Sequence, residues 1–197
     1  MLSTPRDVGW IEVVVGSMFS GKTEELIRRL RLARIAKQKV QVFKPAIDTR
    51  HAREAIVSHN DTSLASISVR SSREILERLQ ADTDVVGIDE AQFFDSVLPE
   101  VCEAMAIRGL RVIVAALDQD FTGNPFGPTP TLMAVAEFVT KQLAICAVCG
   151  NPANRSQRIS GGAQQIQVGA ADAYEARCRK CFRPFVVEQG ELDIPAR

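Results

Sequence analysis

The octapeptide Gly16-Ser17-Met18-Phe19-Ser20-Gly21-Lys22-Thr23 follows the spacing Gly-x-x-x-x-Gly-Lys-Ser/Thr, the pattern of a loop that wraps phosphate. Its glycines let the backbone curl so that successive N–H groups point inward, and the start of a following helix adds positive potential. In such a loop Lys22 reaches the β- and γ-phosphates of a nucleoside triphosphate and the Thr23 hydroxyl ligates Mg²⁺. A chance Gly-Lys-Thr turn would lack the flanking elements the motif needs, and both are present. Trp10 to Val15, apolar and β-branched apart from Glu12, reads as a buried strand. Thr23 to Lys37 places Leu26, Ile27, Leu30, Ala33 and Ile35 at helical spacing, with Glu24 and Glu25 in its first turn and Lys37 near its end, as the helix dipole prefers. Arg28, Arg29, Arg31 and Arg34 read as the wet face of that helix.

Working outward, Val40 to Phe43 is a second strand, stopped by Pro45. Ala46 to Ser71 is polar, with weak alternation at Ile56-Val57 and Ile67 to Val69, and reads as a long loop or loose hairpin; loops of that length in a compact domain are usually functional. Ser72 to Leu79 is a predicted helix, Asp84 to Ile88 a strand, Gln92 to Ile107 a helix ended by Arg108-Gly109, and Arg111 to Ala116 a strand. A Gly/Pro-rich loop over 123–130 precedes a short helix and a last strand, Phe138 to Leu143. Strands alternating with helices specify an α/β fold: a parallel sheet covered on both faces. The composition changes at Ala144, so residues 1–143 are expected to form the nucleotide-binding domain and 144–197 a smaller module.

Asp84-Val85-Val86-Gly87-Ile88-Asp89-Glu90 puts two acids at the carboxyl end of a buried strand, the edge at which open parallel sheets bind ligands. Asp89 suits an Mg²⁺-holding role. Glu90, one residue on, can deprotonate a nucleophile that attacks phosphorus. The bland alternative is a pair of acids near a helix start. Nor does the pair by itself separate hydrolysis from transfer to a hydroxyl.

Cys146-Ala147-Val148-Cys149 and Cys178-Arg179-Lys180-Cys181 form two Cys-x-x-Cys pairs, the spacing of a tetrahedral Zn²⁺ site with no open position, structural rather than catalytic. The N-terminus has no apolar stretch of signal-peptide length, and the longest apolar runs, such as Val112 to Leu117, are strand-sized. A cytoplasmic, non-membrane protein is expected, where disulfides are disfavoured. Cys102, on a predicted helix face, reads as a buried apolar residue. Of 197 residues, 24 are Lys or Arg and 24 Asp or Glu. That balance argues against coating nucleic acid by bulk charge. His51 and His59 have no visible metal partner and read as exposed or hydrogen-bonded.

Taken together, the phosphate loop with its Met18-Phe19-Ser20 insert, the run Asp89-Glu90-Ala91-Gln92-Phe93-Phe94 and the C-terminal thiol module resemble the zinc-containing, type II thymidine kinases. The resemblance runs from about Trp10 to Phe182, through Lys44-Pro45-Ala46-Ile47-Asp48-Thr49-Arg50, Ser58-His59, Leu117-Asp118 with Phe121 and Pro125-Phe126-Gly127, and Val168-Gly169 through Asp172 to Tyr174. It implies a RecA-like P-loop domain, a zinc-anchored lasso domain that closes over the nucleoside, and transfer of the ATP γ-phosphate to the thymidine 5′-hydroxyl. It further implies Glu90 as general base, with Asp48, Arg50, Asp89 and Gln92 joining the phosphate loop around ATP and Mg²⁺. Met18, Leu117, Phe121, Phe126 and Tyr174 would surround the nucleoside, and backbone groups of Gln165, Ile166, Gln167, Val168 and Gly169 would bind the thymine edge. A homotetramer is implied too. The chain departs from the pattern at Ala91, where glycine is common, at Ser156, where threonine is frequent, and at Cys181, where many relatives carry histidine. Phe93 and Phe94 are as well suited to core as to pocket, and Tyr174 to packing on the zinc module. The rival expectation is a zinc-containing P-loop ATPase acting on nucleic acid, with Glu90 positioning water.

Overall fold

A computed structural model describes residues 8–46, 55–57, 63–160 and 173–183. The chain runs β1 (Trp10–Gly16), α1 (Lys22–Ile35), β2 (Val40–Pro45), β3 (Ala55–Val57), β4 (Ser63–Ala65), β5 (Ile67–Val69), α2 (Ser72–Arg78), β6 (Val85–Ile88), a 3-10 turn (Ala91–Phe93), α3 (Leu98–Ile107), β7 (Arg111–Ala116), α4 (Thr129–Val135) and β8 (Phe138–Gln142). Four short strands follow: β9 (Ala144–Ile145), β10 (Pro152–Ala153), β11 (Arg155–Arg158) and β12 (Tyr174–Arg177). Six strands make one parallel sheet in the order β5-β2-β6-β7-β1-β8.

Side chains alternate across this sheet, and each face has its own interior. Ile11, Val13 and Val15 of β1 and Val112, Val114 and Ala116 of β7 pack with Ile75, Val101, Met105 and Leu132 from α2, α3 and α4. On the opposite face Val85, Ile113 and Ala115 meet Leu26, Ile27, Leu30 and Ala33 of α1. Burying a side chain of this size contributes about 1.5–3 kcal/mol, so the sheet is a rigid base for whatever stands on its carboxyl edge. No helix among the described residues is long and apolar enough to cross a membrane.

Three expectations are corrected. Within 46–71, Ile67–Val69 is not loop: it joins the sheet as an edge strand parallel to β2, with Phe43 opposite Ile67. Three residues carry too little alternation to announce a strand; pairing makes it one. The predicted helix from Gln92 starts at Leu98 instead. Glu90 adopts a left-handed conformation (φ 52°) and Phe94 is extended, while the Asp95 carboxylate accepts from Ser72 N, Ser72 Oγ and Val97 N. Those bonds pull the chain to α2 before α3 can begin, and Pro99 sits in its first turn, where a missing N–H costs nothing.

The third correction concerns Arg29, which is not on a wet face. Arg29 Nη1 lies 2.8 Å from Glu12 Oε2 and Nη2 donates to Thr140 Oγ1, while Arg111 Nε and Trp10 Nε1 reach Glu12 Oε1. Burial alone would raise the Glu12 carboxyl, but hydrogen bonds from Arg111 and Trp10 and the two guanidinium charges bring it below its ordinary range. A strand acid that looked out of place in the sequence is therefore the hub of a half-buried ion network.

Candidate functional site

At the carboxyl end of β1 the chain turns through the phosphate loop. A Cβ on Gly16 would stand 2.4 Å from the Gln142 carbonyl oxygen and 2.6 Å from Ser20 Oγ, so only glycine fits between β8 and the loop. Gly21, at φ 81°, caps the start of α1. Phe19 is held left-handed at φ 64°, a strain on the order of 1–3 kcal/mol of the kind found at ligand-binding turns. Lys22 Nζ donates to the carbonyl of Ser17 at 2.8 Å, folded back over its own loop. Two bonds tie the loop to the short C-terminal strands: Met18 N donates to Ser156 Oγ at 2.9 Å, and Ser17 Oγ to the Ala153 carbonyl at 3.5 Å. The serine at 156 thus supplies the one hydroxyl acceptor that Met18 uses.

Asp89 and Glu90 follow β6. Thr23 Oγ1 lies 3.3 Å from both Asp89 carboxylate oxygens, and Glu90 N donates to Asp89 Oδ1 at 3.0 Å. Glu90 itself stands in a left-handed turn, at φ 52°. Gln92, buried in the 3-10 turn, then bridges two strand ends: its Nε2 donates to Glu90 Oε2 at 2.5 Å, and its Oε1 accepts from Leu117 N at 2.9 Å. Burial raises the Asp89 carboxyl to about 7, helped by the Glu90 charge and opposed by Glu90 N–H, Lys22 and Thr23. Burial also lowers the Lys22 ammonium, against the pull of Glu90, Asp89 and Asp118. Asp118 completes the acidic group. Its side chain is 6% exposed, with Oδ2 2.6 Å from Lys141 Nζ, while Oδ1 is buried and has no hydrogen-bond partner among the described residues.

Beyond β7 the loop over 118–126 is cross-braced. Asp120 Oδ1 accepts from Thr122 N, Thr122 Oγ1 and Asn124 N, Asp120 N donates to the Asn124 carbonyl, and Phe126 N to the Asp118 carbonyl. Phe121 and Phe126 are buried, and Phe126 meets the edge of Phe93 with centroids 5.6 Å apart at 87°. Phe94, by contrast, belongs to the sheet interior.

Near the C-terminus two tight turns each present a pair of thiols. Gly150 N donates to the Cys146 carbonyl, and Cys181 N and Phe182 N to that of Cys178. The four sulfurs of Cys146, Cys149, Cys178 and Cys181 lie within 4.8 Å of one another, and none is in a disulfide. Cys149 Sγ is 3.6 Å from both Cys178 Sγ and Cys181 Sγ. A tetrahedral ion with metal–sulfur bonds of about 2.3 Å separates its sulfurs by about 3.8 Å, so this cluster can hold a metal ion.

A thymidine kinase family model matches residues 9–182. The chain belongs to the thymidine kinase family. It is 60% identical to the thymidine kinase of Rhodothermus sp. (strain ITI 518) over 178 residues, 90% of this chain and 83% of that one. To the thymidine kinase of Bdellovibrio bacteriovorus it is 58% identical over 187 residues, 95% of this chain and 89% of the other. The X-ray structure of the Legionella pneumophila ATPase DotB is similar over 75% of this chain and 44% of that one, at TM-score 0.43 and 13% identity, too loose a likeness to argue from. Membership of a thymidine kinase family makes the chain an enzyme, a kinase, and displaces the nucleic-acid ATPase alternative.

For this thymidine kinase family member, the structure brings Lys22, Thr23, Asp89, Glu90, Gln92 and Leu117 together at one sheet edge. Met18 joins them through Ser156. Asp48, Arg50, His51, His59 and the segment Gln165, Ile166, Gln167, Val168 and Gly169 lie outside the described residues. Cys102 is fully buried in the core, where desolvation pushes its thiol up. Sequence reasoning missed Lys141 and Arg158. Lys141 is one of the exposed positions of an edge strand and Arg158 sits in a polar run, so neither carries a local signal.

Proposed function

We propose that this chain transfers the γ-phosphate of ATP to the 5′-hydroxyl of thymidine, and of deoxyuridine, making the nucleoside monophosphate for salvage into DNA. The observation that carries the reading is the clamp on Glu90: a carboxylate held by Gln92 beside the Thr23–Asp89 pair, at the edge where the phosphate loop opens. A group in that place suits removal of a proton from an acceptor alcohol. As the 5′-oxygen forms its bond to the γ-phosphorus, the bond to ADP breaks and the alcohol proton passes to a Glu90 oxygen. A positioned base of this kind is worth about 10²–10⁴-fold in rate.

Lys22 exchanges its bond to Ser17 for phosphate oxygens, and the loop N–H groups share the charge that builds there. Thr23 and Asp89 are hard oxygen donors facing each other, and the raised Asp89 carboxyl is one that a nearby cation would ionise; these two would hold Mg²⁺, which would supply positive charge against that of the phosphates. Asp48 and Arg50 are assigned to the same site on the family resemblance. Leu117, Met18, Phe121, Phe126 and Tyr174 form the nucleoside side, where apolar walls and a few fixed hydrogen bonds select a flat pyrimidine, and the backbone of 165–169 is assigned to the thymine edge. The four thiols suit Zn²⁺ in a closed structural site, anchoring residues 144–197 as the lasso domain. Tetramer formation rests on the family resemblance, and a cytoplasmic setting on the strand-sized apolar runs of the sequence.

The test is direct: incubate the protein with labelled ATP and each of several deoxynucleosides. Monophosphate formed with thymidine and deoxyuridine is the expected product. ADP released on adding DNA, with no nucleoside phosphate, overturns the reading.

A further inference from the structure

Among the described residues Arg158 is the largest side chain that is buried almost completely, at 2% exposure. A guanidinium taken from water in this way costs several kcal/mol unless its surroundings answer it closely. They do so with groups from two places. The guanidinium carbon lies 3.7 Å from the centroid of Phe121, on the braced loop after β7, and 5.3 Å from that of Tyr174, its register partner across β11 and β12. Arg158 Nη2 and Nε both donate to the Tyr174 phenol oxygen, at 2.7 and 3.1 Å. A planar cation with its donors in a fixed fork suits a ring face beside an oxygen that takes two of its N–H groups, and an ammonium does not.

Two donors into one phenol oxygen have a chemical consequence. A phenol hydroxyl has one proton to give and two lone pairs to receive with. With its receiving side taken by Nη2 and Nε, Tyr174 is left with its own proton to offer, and the adjacent cation makes that proton a better donor. We infer that Arg158 is a positioning residue for the nucleoside: it locks Phe121 and Tyr174 into one unit and turns the Tyr174 hydroxyl into a dedicated hydrogen-bond donor to an acceptor oxygen of the bound nucleoside. The inference rests on the proposed nucleoside site and adds to it a residue that touches no substrate. It also accounts for a large buried cation at this spot, where an apolar residue would fill the space without the desolvation penalty.

The experiment compares wild type with Arg158→Lys and Tyr174→Phe, measuring KM for thymidine, KM for ATP, kcat, melting temperature and bound metal. Arg158→Lys keeps the charge but not the fork. The expected result is a KM for thymidine raised about tenfold, the scale of one lost hydrogen bond to a ligand, with the KM for ATP and the metal content unchanged. Tyr174→Phe should raise the thymidine KM similarly, and the double variant should be little worse than either, because both remove the same donor. An unchanged thymidine KM in Arg158→Lys overturns the inference, as does an equal rise in both Michaelis constants, which marks a merely structural role. If Arg158→Lys gives no cooperative melt, Tyr174→Phe decides alone: a selective rise supports the donor role, no rise refutes it. Wild type that phosphorylates no nucleoside at all removes the parent reading and this inference with it.

Discussion

Around the six-stranded sheet the interior is built of Val, Ile, Leu, Phe and Met side chains, with separate layers on its two faces. Around the four thiols it is built of Ala144, Ala153 and Ala176 and the cysteines themselves. Three alanines bury little apolar surface, so the strands β9 to β12 cannot be held by the means that hold the six-stranded sheet. One region is stable by burial, the other has four sulfurs grouped so that they can hold a metal ion, and the phosphate loop is tied to this second region through its bonds to Ser156 and Ala153. The candidate catalytic groups stand on the first region. Tyr174, a candidate nucleoside contact, and Arg158, which holds it, belong to the second.

That contrast can be broken in several ways. Leu30→Ala opens a cavity between α1 and the sheet, where Leu30 is fully buried, and should cost about 2–5 kcal/mol in denaturant unfolding while folded protein keeps its metal. Loss of metal at the same time would mean that the two regions do not have separate sources of stability. Glu90→Gln should keep ATP binding and slow phosphoryl transfer at least about a hundredfold; a near-normal single-turnover rate would remove Glu90 from the base role.

Stripping the metal with a chelator should expose the amides of Ala144–Ala153 and Tyr174–Arg177 to hydrogen exchange while those of β1 and β7 stay protected. Uniform protection after stripping would show that the small strands need no ion. The smallest effect concerns the ion pairs of α1. Arg28 and Arg29 hold the Glu25 carboxyl down to about 2, well below its ordinary 4.5. Stability from these pairs is therefore complete above about pH 4.5 and is lost as the pH falls towards 2. Glu25→Gln should melt slightly below wild type at pH 7, by less than about 1 kcal/mol, and the gap should close on acidification. A gap that widens in acid contradicts the pairing.

The parts legible in the amino-acid order share a property: their partners are close along the chain. Gly16 to Thr23 declares a phosphate loop because the curl needs glycines at fixed offsets. The alternating strands and helices declare a doubly covered sheet, and each Cys-x-x-Cys pair declares its half of a metal site. Glu90 was also readable, as the second of two acids past a buried strand, but its clamp was not, since Gln92 reaches it only because Leu117, 25 residues further on, fixes the other end of the same amide. The strand Ile67–Val69 and the late start of α3 escaped for a like reason: pairing with β2 created the one, and bonds from α2 to Asp95 delayed the other.

Residue order alone settled the chemistry that adjacent atoms can perform: cradling phosphate, offering two acids at a strand end, presenting thiols in pairs. Tertiary structure alone decided which distant groups answer one another. Glu12 found Arg29 and Arg111, Met18 found Ser156, and Arg158 found Phe121 and Tyr174. A local motif is enforced by covalent spacing, whereas a buried ion or hydroxyl is satisfied by whichever partner the packed sheet brings within about 3 Å, and that choice is not written at any single position.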